Sequence, residues 1–233
     1  MKTIGLIGGM SWESTLSYYK LLNEGVKSKL GGFHSAQIVM ISVDFAPIEE
    51  LQKRGEWQRA GEILAAHALT LEKSGADFIV LCTNTMHKVA DAIEENIKIP
   101  LLHIAEQTAK ALKKSSCSQT ILLGTRFTMQ EDFYKSVLKK HGIKVYTPKQ
   151  EDIKKIDAII FEELVQGKIS PKSKLYFQEL IASMQNHNKQ IDSVILGCTE
   201  IGLLLKKEDI SLKIFDTTYV HVDEALHYAL SKQ

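Results

Sequence analysis

Cysteine is scarce: Cys82, Cys117 and Cys198 are the only three in 233 residues. They show neither the paired spacing of a disulfide framework nor the spacing of a metal site. Free thiols fit a reducing compartment, so the expected location is cytoplasmic. Long hydrophobic runs are missing as well. The opening Met-Lys-Thr-Ile-Gly-Leu-Ile-Gly-Gly9 leads straight into a strand-like segment, too short for a signal peptide or a membrane span. Neither sign of charge is in surplus, with 29 Lys+Arg against 28 Asp+Glu and a net charge of +1. Nucleic acid and anionic membranes are therefore not expected partners. Neither G-x-G-x-x-G nor G-x-x-x-x-G-K-[ST] occurs, which argues against nucleotide binding. No metal-ligand cluster and no Ser-His-Asp arrangement can be read, and no low-complexity linker interrupts the chain.

What is present is an ordinary globular composition, 44% hydrophobic and 24% charged, over a length that suits one large α/β domain or two small ones. Short apolar runs recur at Thr3–Gly8, Gln37–Val43, Asp77–Leu81, Ile99–Ile104, Thr120–Gly124, Ile143–Tyr146, Asp192–Leu196 and Leu212–Phe215. Runs of this length, rich in Ile, Val and Leu, mark strands buried on both faces, hence a mostly parallel sheet. Helical patterns such as Gly61–Ser74 and Thr85–Ile97 lie between them. The chain also repeats itself. Asp77-Phe-Ile-Val-Leu-Cys-Thr-Asn-Thr85 aligns without gaps on Asp192-Ser-Val-Ile-Leu-Gly-Cys-Thr-Glu200, and Gly8 falls near Gly124 in the same alignment. The expected fold is two similar Rossmann-like α/β domains with mostly parallel sheets and an active site in the cleft between them. Residues 1–105 plus 210–233 would form the first domain and 106–209 the second. The apolar face of Val220–Leu230 would pack back on the first.

In parallel sheets, ligands gather at the carboxyl ends of strands. The distinctive segments fall there: Gly8-Gly9-Met10-Ser11, Cys82-Thr83-Asn84-Thr85, Gly124-Thr125-Arg126 and Gly197-Cys198-Thr199-Glu200. Cys198 follows a turn glycine where a helix should begin, a position that lowers a thiol pKa. It also reads as a small buried hydrophobe. The repeat sets Thr83 opposite Cys198. Cys82, one residue earlier on an extended strand, points to the other face and reads as structural; Cys117 reads as incidental. Asn84, Thr85 and Thr199 offer hydroxyl, amide and backbone donors that suit a carboxylate or a simple cap. Thr125 and Thr128 follow the equivalent turn in the second half and are candidates to face the same ligand. His87 reads as a satisfied structural histidine. Glu200 either orients the Cys198 thiol or favours its helix start.

The segment Gly5-Leu-Ile-Gly-Gly-Met-Ser-Trp-Glu-Ser-Thr15, the Asn84-Thr85-Met86-His87 turn and Gly197-Cys198-Thr199-Glu200 together resemble the aspartate/glutamate racemase family, over essentially the whole chain. The resemblance implies racemisation without pyridoxal or any other cofactor. Two cysteines flank the α-carbon in that chemistry, one removing the proton as thiolate and the other supplying one to the opposite face. Asn84, Thr85, Thr125 and Thr199, with the backbone near Met10, would stabilise the carbanion by holding the carboxylate. It also implies a small amino-acid substrate and a homodimer.

Two departures stand out. The family pattern Cys-Asn-Thr reads Thr83-Asn84-Thr85 here, so the first catalytic cysteine is a threonine, a much weaker acid. The resemblance then implies that Cys198 deprotonates L-substrates while Thr83 returns protons inefficiently, as in a subgroup that prefers L-substrates. Gln52 falls near the Arg, and Val165 where the Lys is placed, that hold the side-chain carboxylate in aspartate-specific members; Lys53, Arg54 and Lys168 are the nearby cations. Aspartate, glutamate and neutral residues such as homoserine all remain open as substrates. Two other readings stay open: a single-cysteine decarboxylase or isomerase acting on a dicarboxylic acid, and a non-catalytic amino-acid-binding protein.

Overall fold

In the computed structural model, which describes residues 1–231, seven of the eight apolar runs form strands. They are β1 (Ile4–Gly8), β2 (Ile38–Ser42), β3 (Phe78–Leu81), β4 (Gln119–Gly124), β5 (Lys144–Tyr146), β6 (Ser193–Gly197) and β7 (Lys213–Asp216). Every pairing among them is parallel, in two sheets of order β2-β1-β3 and β5-β4-β6-β7. The eighth run, Ile99–Ile104, contracts to one parallel bridge between Leu101 and Ile79. Pro100 has no N–H to give a ladder, and Ile104 is taken by the helix Ile104–Lys114. The helix expected over Thr85–Ile97 divides into a 3-10 turn, Thr85–Val89, and a short α-helix, Ala90–Glu94.

Two compact units result. One comprises Met1–Ile104 together with the chain from His221 onward; the other is Ala105–Val220. The expected return to the first unit near residue 210 therefore moves to 221. The reason is β7, whose backbone pairs in register with β6, Val194 opposite Ile214 and Leu196 opposite Asp216, and so keeps residues 210–220 in the second unit.

In the first unit the period-2 alternation of the strands sorts side chains onto two cores. Ile4, Leu6, Phe78 and Val80 meet Tyr18, Leu22 and Val26 of the helix Trp12–Leu30, with Val222, Ala225 and Leu226 of the helix Thr217–Leu230. Ile7, Ile79 and Leu81 meet Ile48 and Leu51 of the helix Phe45–Arg54, with Leu64, Ala68 and Leu71 of the helix Trp57–Lys73. Burial on both faces explains why β1 and β3 read as unbroken apolar runs. In the second unit Ile121, Leu123, Val194 and Leu196 pack on Ile156 and Ile160 of the helix Gln150–Glu162, and on Phe177 and Ile181 of the helix Pro171–His187. Among the described residues no helix is long and apolar enough to cross a membrane.

Candidate active site

An aspartate staples the start of β3 to β1 and another staples β6 to β4. Asp77 Oδ2 accepts from Thr3 N–H at 2.6 Å, and Asp192 Oδ2 accepts from Ser118 and Gln119 N–H at 2.8 and 3.1 Å. The sequence repeat is thus a structural one. It carries Thr83 and Cys198 to equivalent places, one residue beyond the strand-end pair Cys82 and Gly197.

At the β6 end Cys198 is 7% exposed, and its thiol donates to Glu200 Oε2 at 3.0 Å. The same oxygen accepts from Thr199 Oγ1 at 2.5 Å. Glu200 is itself 3% exposed. The sequence suggested a helix start that would lower the thiol pKa; the structure reverses that expectation. The helix that follows, Ile201–Leu204, has only four residues and begins three positions later. Burial, and then the Glu200 carboxylate, push the thiol well above its ordinary value, while hydrogen bonds from the Glu200 and Ile201 amides pull the other way without prevailing. Cys198 rests as a thiol aimed at a buried carboxylate. Thr125 caps the short helix Arg126–Gln130, accepting from Thr128 N–H at 3.4 Å. Thr128 is fully buried against Gly124 and Gly197; a Cβ at either glycine would stand 3.2 or 3.3 Å from its side chain.

At the β3 end Thr83 is 8% exposed and Asn84 3%. The Thr83 N–H bonds to Leu81 O at 2.8 Å, and its carbonyl accepts from His87 Nδ1 at 2.8 Å. Thr85 opens the 3-10 turn and is buried. Cys82 lies in the apolar core with Leu6 and Val80, where burial pushes its thiol up, in line with a structural role. The glycine turn after β1 sits beside β3: Ser14 Oγ donates to Cys82 O at 2.9 Å, and Gly9 N–H donates to Thr15 Oγ1 at 2.8 Å. Gly9 holds φ +94°, and a Cβ there would stand 2.2 Å from Val43 O, so only glycine fits. Met10 is buried in the same core as Gln52's neighbours Leu51 and Met86. Gln52 is 4% exposed and gives its amide to Met86 Sδ at 2.9 Å. The nearby cations are engaged elsewhere: Lys53 with Glu49 at 2.6 Å, Arg54 with Glu50, and Lys168 with Gln166 at 2.7 Å.

The grip of His87 on the Thr83 carbonyl was not readable in the sequence. An i to i+4 spacing signals proximity on a helix, but not which ring atom meets which backbone group. Among the described residues no group of three or more His, Cys, Asp or Glu is placed to hold a metal.

Known proteins share this arrangement of chain. Residues 7–225 match the family described as Asp/Glu/hydantoin racemase. The chain is 25% identical over 218 residues to the broad specificity amino-acid racemase RacX of Bacillus subtilis (strain 168), covering 92% of each protein. Among solved structures it is 48% identical to a candidate Asp/Glu racemase from Yersinia pestis, with TM-score 0.91 over 99% of this chain and 100% of that one. An aspartate racemase homologue from Pyrococcus horikoshii OT3 is 34% identical, with TM-score 0.87 over 99% of this chain and 100% of that one. Matched over residues 7–225, the chain belongs to the Asp/Glu/hydantoin racemase family.

Proposed function

We propose that the protein is a cofactor-independent amino-acid racemase that prefers L-substrates, with Cys198 as the base on one side of the α-carbon and Thr83 as the proton donor on the other. The observation that carries this reading is the buried Cys198 thiol hydrogen-bonded to the buried Glu200 carboxylate, at the repeat position of Thr83, in a chain of this family. Glu200 gives the thiol a direction and an acceptor for its proton. The thiolate so formed takes the α-proton of an L-amino acid, breaking C–H and forming S–H. The carbanion then takes a proton from the Thr83 hydroxyl on the opposite face, and solvent replenishes that hydroxyl. A hydroxyl ionises far less readily than a thiol, so the reverse abstraction from a D-isomer by Thr83 is slow. Asn84, Thr85, Thr125 and Thr199, with the backbone at Met10, are proposed to hold the substrate carboxylate; Thr128 acts behind them through its contact with Thr125.

The side-chain preference is proposed to be broad. Gln52, at the place where aspartate-specific relatives use an arginine, is neutral and buried, and Lys53 and Arg54 are paired with Glu49 and Glu50. The broad specificity of the RacX relative supports the same view. Glutamate, aspartate and neutral residues such as homoserine are the substrates to test, in a homodimeric, cytoplasmic protein.

The test is α-proton exchange. Single L-amino acids are incubated in deuterated water with wild type and with Cys198→Ser, and loss of the α-proton and formation of the D-isomer are followed. The expected result is exchange that falls by at least about 10³-fold in Cys198→Ser, with D-isomer appearing in wild type. Release of carbon dioxide or an isomerised diacid would replace this reading with single-cysteine decarboxylase or isomerase chemistry. Binding without exchange would make the protein a binding module.

A further inference from the structure

Behind the Thr83 turn, the first unit gathers three imidazoles. The His87 ring lies 4.7 Å from that of His103 and 5.8 Å from that of His221, centroid to centroid, both edge-on. His87 is 2% exposed and His221 fully buried. The hydrogen-bond partners of both rings bear on their tautomers, because a backbone amide can only donate and a carbonyl can only accept. Ile104 N–H donates to His87 Nε2 at 3.2 Å and favours a bare nitrogen there, against the nearby Leu102 carbonyl that would favour a proton. Nδ1 faces Thr83 O at 2.8 Å and carries the proton. His221 is set the opposite way, its Nε2–H donating to Leu102 O at 2.7 Å and its Nδ1 accepting from Tyr18 Oη at 2.9 Å. Burial, with His103 and His221 nearby, holds the His87 pKa well below its ordinary value, in keeping with a neutral ring.

What this ring holds is the backbone of the candidate proton donor. The Thr83 N–H is already committed to Leu81 O. With its carbonyl committed to His87, neither main-chain group of Thr83 is left to swing. A β-branched side chain on a fixed backbone is stiff at χ1, so its hydroxyl direction follows the main chain. Ile104 is also the residue at which the chain leaves the first unit, and His221 the one at which it returns.

We propose that His87 is a positioning residue for Thr83: the Ile104 amide selects its Nδ1–H tautomer, and the bond from Nδ1–H to the Thr83 carbonyl fixes the backbone from which the Thr83 hydroxyl is presented to the substrate. This role rests on the racemase reading above, which the test separates from it. Two rates are measured with one L-amino acid in deuterated water: loss of the α-proton, which reports the Cys198 side, and formation of the D-isomer, which needs Thr83. In His87→Ala the ratio of D-isomer formation to exchange is expected to fall about 10-fold, since small displacements of a reacting group carry large rate penalties. His87→Asn, whose amide can stand in for Nδ1–H, is expected to recover most of that ratio. In a Thr83→Ala background His87→Ala is expected to leave the ratio unchanged. Two rates falling in proportion, or a ratio that still drops without the Thr83 hydroxyl, would overturn the role of His87. Nitrogen-15 spectra of the wild-type imidazoles give a reading that needs no variant to fold: a neutral Nδ1–H ring at His87 at pH 7 supports the assignment, and an Nε2–H ring or an imidazolium overturns it. A wild type with no Cys198-dependent exchange defeats the racemase reading and this role with it, whereas normal exchange with an unchanged ratio defeats the role alone.

Discussion

The carboxyl ends of β3 and β6 are built on one plan and finished differently. Each strand is stapled by an aspartate, Asp77 or Asp192, to the start of its neighbour, and each is followed by a buried turn. In the β6 turn the polar partner, Glu200, holds a side chain, the Cys198 thiol. In the β3 turn the partner, His87, holds a backbone carbonyl, that of Thr83. The repeat aligns His87 with Gly202. Where the imidazole packs on His103, Gly202 leaves room for Asp216: a Cβ at Gly202 would stand 1.9 Å from its carboxylate. A thiol can be tuned directly by a neighbouring charge. A hydroxyl that stays protonated across the working pH range can only be aimed. On the proposed roles of Cys198 and Thr83, the two turns differ as those chemistries would require.

The largest expected effect comes from removing the difference. Thr83→Cys puts a thiol on both sides, and abstraction from the D-isomer should rise by about 10²-fold while exchange from the L-isomer changes little. Turnover compared from pure D- and pure L-substrate measures it. An unchanged D-rate would mean that Thr83 does not face the α-carbon.

Of comparable size is the opposite pH signature of the two clusters. Burial holds the Asp216 carboxyl up at about 6 from an ordinary 3.8. Its contribution to stability is complete below 3.8 and is lost as pH rises through 6, up to about 3 kcal/mol. Burial drives His221 down to about 4 from 6.5. Its contribution is present above 6.5 and is lost as pH falls through 4, again up to about 3 kcal/mol. The two trends oppose each other between about pH 4 and 6, so urea unfolding of the wild type across pH 3.5–8 should change little from these two groups. Asp216→Asn should remove the falling trend and unmask the His221 trend, a loss of stability as pH falls from 6.5 to 4. A variant with the wild-type profile would show that Asp216 does not titrate in that window.

The smallest expected effect is at Glu200. Glu200→Gln removes the charge that helps hold the Cys198 thiol up, so alkylation of Cys198 by iodoacetamide at pH 8 should quicken, by about 10-fold. Slower alkylation would instead make the carboxylate chiefly the acceptor that draws the thiol proton away.

Much of this molecule was written in its sequence. Unbroken Ile, Val and Leu runs pointed to parallel strands covered on both faces, because a strand with both sides apolar must bury both. The self-alignment of residues 77–85 with 192–200 matched Thr83 to Cys198 in sequence, each just past the end of a buried strand. Tertiary structure decided the rest. Ile99–Ile104 had the composition of a strand, but Pro100 and the helix from Ile104 reduced it to a bridge. The sign of the Cys198 pKa shift turned on a helix of only four residues and on burial beside Glu200, neither of which local pattern encodes. The tautomers of His87 and His221 depend on Ile104, Leu102 and Tyr18, up to 203 residues away in the chain. A sequence states which groups are available. Desolvation and hydrogen-bond geometry, which set protonation, exist only once distant segments have excluded water around them.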